Sequence, residues 1–72
     1  MRMALLEVKI YPNMSAKEAE RQINWGIQHA REAYQSPVEM TYELLIEQTV
    51  TVGRCSETRY TLLINFEEPE EE

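Results

Sequence analysis

The chain has 72 residues, a net charge of −6, and thirteen glutamates with no aspartate, so the acidic side chain that caps helices, makes tight turns and opens Ca²⁺ loops is missing. Cys55 is the only cysteine and His29 the only histidine, which rules out an intrachain disulfide and a Cys- or His-built metal site within one chain. A chain this short is one domain near the lower limit at which a hydrophobic core alone carries stability, so self-association is the expected source of extra burial.

The first predicted strand runs from Ala4 to Tyr11, where Leu6, Val8 and Ile10 alternate with Leu5, Glu7, Lys9 and Tyr11. Pro12-Asn13 ends it. Ser15-Ala-Lys-Glu18 reads as a capping box, and helix formers continue to Tyr34 before Ser36-Pro37 stops the run. Ala16, Ala19, Ile23, Ile27, Ala30 and Tyr34 recur at three- and four-residue intervals and give the helix one apolar face.

The second strand is predicted over Val38–Val52, with Met40, Tyr42, Leu44, Ile46, Val50 and Val52 on one side and Gln48 the single interruption. Gly53 to Ser56 reads as a hairpin loop, and the third strand as Glu57–Phe66. Residues 1–66 are then one α+β domain, and Glu67–Glu72 an acidic tail too charged to bury anything, expected to be disordered.

The order β-α-β-β makes the first two strands run the same way and the third antiparallel to the second. The economical sheet is three-stranded and antiparallel, in the order 1-3-2, with the helix on the face carrying Leu6, Val8, Ile10, Tyr42, Leu44, Ile46, Leu62 and Ile64. Its other face carries Leu5, Leu45 and Leu63. In register, these three leucines form a patch for a subunit or partner, against the alternative of scattered surface leucines. On the helix, Trp25 and His29 fall with Glu18, Gln22 and Glu32 on a polar face turned from the core. There Trp25 is a candidate partner anchor, or a ring lying on its own helix. His29 has no predicted Asp, Ser or Cys neighbour, so it reads as a solvated histidine rather than a general base or a pH switch, and it joins Trp25 as a candidate partner contact.

Charge is uneven. Residues 1–37 hold five basic and four acidic groups, whereas residues 38–72 hold two basic and nine acidic ones. That disfavours nucleic acid and anionic membrane, and suits a basic protein partner. No apolar run approaches a membrane span, and a lone thiol fits a cytoplasmic setting. Only Gly26 and Gly53 are glycines, so a phosphate-binding glycine loop is missing, as are a nucleophile elbow and HExxH. Cys55 beside Arg54 has one cation and no histidine to activate it. No catalytic residue stands out. The expected function is that of a non-enzymatic acidic interaction protein, binding and inhibiting a basic partner as small phage or mobile-element inhibitors do.

The strand-helix-strand spacing from Ser15 through Pro37 to Glu47 resembles the small tautomerases, whose base is an N-terminal proline. The chain here opens Met-Arg-Met, with Ala4 at the position equivalent by spacing, so that activity is not implied. Glu43-Leu-Leu, Thr51-Val-Gly53, the spacing from Gly53 to Tyr60, and Phe66-Glu67 look like the dodecins over residues 4–68. That resemblance implies a hollow dodecamer storing flavin. Dodecins sandwich the flavin with a tryptophan on strand two and bond it with a glutamine after the strand-three tyrosine. Thr41-Tyr42 and Thr61 stand there, leaving Tyr42 to stack and Gln48 to supply an amide in such an oligomer.

Overall fold

The computed structural model describes residues 2–70. It comprises β1 (Arg2–Met14), α1 (Ala16–Glu32), β2 (Glu39–Val52) and β3 (Cys55–Glu70). The strands form one antiparallel sheet in the order β1-β3-β2, with the helix on one face. The expected architecture and strand order hold.

Ser15 starts the helix. Its backbone is extended and its Oγ accepts the Glu18 amide at 3.2 Å, which supplies one of the first-turn N–H groups with a partner. At the other end the Ala33 N–H donates to the His29 carbonyl, two residues short of the expected end at Tyr34. Ala19, Gly26 and Ala30 are the buried stripe, and these small residues let the helix lie close to the sheet. The core is Met14, Ala19, Ala30, Leu62, Ile64 and Phe66, with Tyr11, Ile23, Tyr34, Val38 and Met40 packed around it. Ala16 and Ile27, expected in the apolar face, are exposed instead.

The hairpin is tighter than the sequence suggests. Val52 pairs directly with Cys55, which leaves a two-residue Gly53-Arg54 turn. Gly53 has φ 61°, as the first central residue of a II′ turn requires. Cys55 and Ser56 therefore begin β3. At its far end β3 continues through Glu67–Glu70, which pair with Leu5 back to Arg2. The strand thus extends into the segment expected to be a disordered tail, because β1 starts early enough to offer those residues backbone partners. Glu71 and Glu72 lie outside the described residues.

Register makes the largest correction. Glu7, Lys9 and Tyr11 stand opposite Phe66, Ile64 and Leu62, so it is they that share the helix side. Val8 and Ile10 stand opposite Asn65 and Leu63 on the open side. The expectation that Leu6, Val8 and Ile10 lie under the helix is wrong, and all three are exposed. The core at this level is filled from β3 and α1, and Glu7 and Lys9 find polar and aromatic partners on the helix flank.

The molecule is long and thin, with principal extents of 56 × 21 × 13 Å. A helix of 17 residues spans only about 26 Å, so the β2–β3 hairpin projects well beyond its cover.

Candidate functional surfaces

The open side of the sheet can be assembled column by column from the pairing. On β1 the bulge at Leu6 resets the alternation, so that Leu5, Val8 and Ile10 occupy successive rows, opposite Glu67, Asn65 and Leu63. On β2, Leu45 stands opposite Thr61, one row from Leu63. An apolar stripe therefore crosses the open side diagonally, from Leu5 through Ile10 and Leu63 to Leu45. Ile10 is 62% exposed and Leu45 51%.

All three leucines expected on this side are there, but not as one in-register cluster. Leu5 lies two rows from Leu63, about 13 Å along the sheet. Ile10 and Val8 fill the gap. The doubled leucine Leu5-Leu6, which breaks strict alternation, was the sequence sign of the bulge that put them there.

A second bulge, at Glu47, performs the same inversion in β2. Before it, Met40, Tyr42, Leu44 and Ile46 share the helix side with Phe66, Ile64, Leu62 and Tyr60. After it, Gln48, Val50 and Val52 pair with Arg59, Glu57 and Cys55 on the open side. The expectation that Gln48 lies on the face of Tyr42 fails for this reason, and the two side chains cannot meet one ligand within a chain. The Glu47 carboxylate holds the bulge. It accepts the Thr61 hydroxyl at 2.9 Å and the Asn13 N–H at 3.0 Å, where Asn13 has φ 57°. That one side chain joins the irregularity in β2 to the one at Pro12-Asn13 in β1.

Trp25 and His29 do not point away from the sheet. They lie on the helix flank beside β1, with their rings stacked at 4.6 Å, and both present an edge contact to Phe66. Lys9 Nζ sits 5.4 Å from the centre of the Trp25 ring. The His29 Nε2 approaches Glu7 Oε2 at 3.3 Å, the same oxygen that accepts the Tyr34 hydroxyl at 2.5 Å, and Lys9 pairs with Oε1 at 3.2 Å. The Tyr34 hydrogen bond, then that of Lys9, holds the Glu7 carboxyl down at about 2. Burial, followed by the bond to Glu7, pushes the Tyr34 hydroxyl up to about 12. This cluster clamps the C-terminal end of α1 to β1. The five residues expected to contact a partner are thus divided, with Trp25 and His29 on one side of the sheet and Leu5, Leu45 and Leu63 on the other.

The other flank of the helix is also apolar. Ile27 lies about 200° around the helix from Trp25, on the side of β2. There Tyr42, Leu44 and Ile46 are exposed, with Ile46 at 71%. Among the described residues no cavity is enclosed and no helix is long and apolar enough to cross a membrane. Two apolar stripes thus lie on opposite sides of one thin sheet, bordered by glutamates. No protein-family model, curated protein or solved structure matches this chain.

Proposed function

We propose that the chain is a non-enzymatic interaction protein that self-associates through the open side of its sheet, and whose acidic C-terminal half steers a basic protein partner onto the assembly. One observation carries the reading. In β1 the apolar Leu5, Val8 and Ile10 are turned to the open side while Glu7 and Lys9 are turned toward the helix. In a lone chain that inversion leaves all three apolar side chains exposed, whereas cover on the open side buries them.

Size supports the same reading. A compact monomer of this mass has an accessible surface of about 4,650 Å², and this chain exposes 5504 Å². The surplus, about 850 Å², is the area one partner contributes to a standard interface. The radius of gyration of 15.2 Å likewise exceeds the roughly 11 Å of a compact domain of this length.

The test is a charge in the middle of the stripe. Ile10→Glu is expected to lower the mass of the assembly by light scattering while preserving the far-ultraviolet circular dichroism, because the side chain is already largely exposed. An oligomer unaffected by this substitution contradicts the open-side interface.

A further inference from the structure

The two edges of the sheet are built differently. The β1 edge is interrupted at Leu6 and again at Pro12-Asn13, devices that discourage another strand from adding. The β2 edge has neither along Glu39–Ile46, where its register against β3 is regular, and Glu39–Val52 contains no proline, lysine or arginine. Beside it stand Tyr42, Leu44 and Ile46, exposed on the helix side. An uninterrupted edge flanked by an apolar stripe is a template for strand addition where the facing charges allow it.

We propose that this edge pairs antiparallel with β2 of a second copy about a twofold axis at Tyr42, joining two sheets into one of six strands. Charge selects both the partner and the register. Glutamates at positions 39, 43 and 47 share the open side of β2, and like charges directly opposite destabilise a strand pair. An axis at Thr41 sets Glu39 against Glu43, an axis at Glu43 sets that residue against itself, and an axis at Leu45 sets Glu43 against Glu47. An axis at Leu44 avoids such pairs but runs into the Glu47 bulge. An axis at Tyr42 avoids both. It places Met40 opposite Leu44 and Tyr42 opposite Tyr42 on the helix side, with Glu39 opposite Leu45 and Glu43 opposite Thr41 on the other. The edge is thus complementary to itself. The contact is separate from the open-side stripe and does not depend on it.

Disulfide trapping tests the register. In a Cys55→Ser background, Tyr42→Cys brings two thiol-bearing residues to the axis. Directly opposite Cα atoms there are about 4.5–5.5 Å apart, within disulfide range. Leu44→Cys is the control, since its two copies are separated by about 13 Å of strand. Mild oxidation is expected to give a covalent dimer with Tyr42→Cys and none with Leu44→Cys. A dimer from Leu44→Cys, or from neither variant, overturns the proposal. The unmodified protein supplies a second readout. In a mixture of ¹³C-labelled and unlabelled chains, isotope-filtered NOEs between Met40 of one copy and Leu44 of another support the pairing, and their absence overturns it. Adding Ile10→Glu to Tyr42→Cys leaves the covalent dimer in place, which separates failure of this contact from failure of the open-side one.

Discussion

Glu7 concentrates more of the local electrostatics than any other side chain. Its carboxyl is held at about 2 rather than 4.5, first by the Tyr34 hydroxyl and then by Lys9, so the charged form is favoured by folding. The stabilisation is complete above about pH 4.5 and is lost as pH falls through about 2. Tyr34 acts at the other limit. Its neutral form is favoured, so its contribution is complete below about pH 10 and lost as pH rises through about 12. Urea denaturation against pH is expected to show a plateau between those limits, and Glu7→Gln to flatten the acid limb. An acid limb unchanged in Glu7→Gln contradicts the clamp. Gly26 offers a test of opposite sign. A Cβ there meets Ile64 Cδ1 at 3.5 Å and Met40 Cε at 3.6 Å, which is ordinary contact. Gly26→Ala is therefore expected to stabilise by about 0.5–1 kcal/mol, through helix propensity without a clash. A loss of stability on denaturation means the helix lies closer to the sheet than this geometry has it.

At the scale of elements, the two bulges decide which faces are apolar. Glu47 fixes one of them with two hydrogen bonds in an exposed setting, so Glu47→Ala is expected to cost about 1 kcal/mol. It is also expected to broaden the amide resonances of Asn13 and Thr61 together. Unchanged resonances there contradict the coupling of the two bulges. These bulges also mark the limit of what the sequence discloses. Strand order, the Ser15 cap and the Gly53 turn follow from local chemistry, because each depends on residues within one turn or one hairpin. Facing does not, since a single extra residue inverts every side chain beyond it. Leu5-Leu6 and Glu47-Gln48 each break the alternation, yet only pairing against β3 turns that break into a face. The position of Trp25 and His29 escapes the sequence for a related reason. A helical wheel gives angles about the axis, whereas the flank nearer β1 is set by the contacts with Lys9 and Glu7.

The whole molecule is a thin sheet more than twice as long as its helix, apolar on both sides, with its acidic charge concentrated in residues 38–72. Each chain carries −6, so copies repel one another, and added salt is expected to tighten self-association while weakening capture of a basic partner. The most direct measurement is sedimentation equilibrium of the unmodified protein at micromolar concentration, in low and in moderate salt. We predict a mass that is a multiple of 8.5 kDa and that rises or holds as salt increases. A single species of 8.5 kDa at every concentration and both salts contradicts the account.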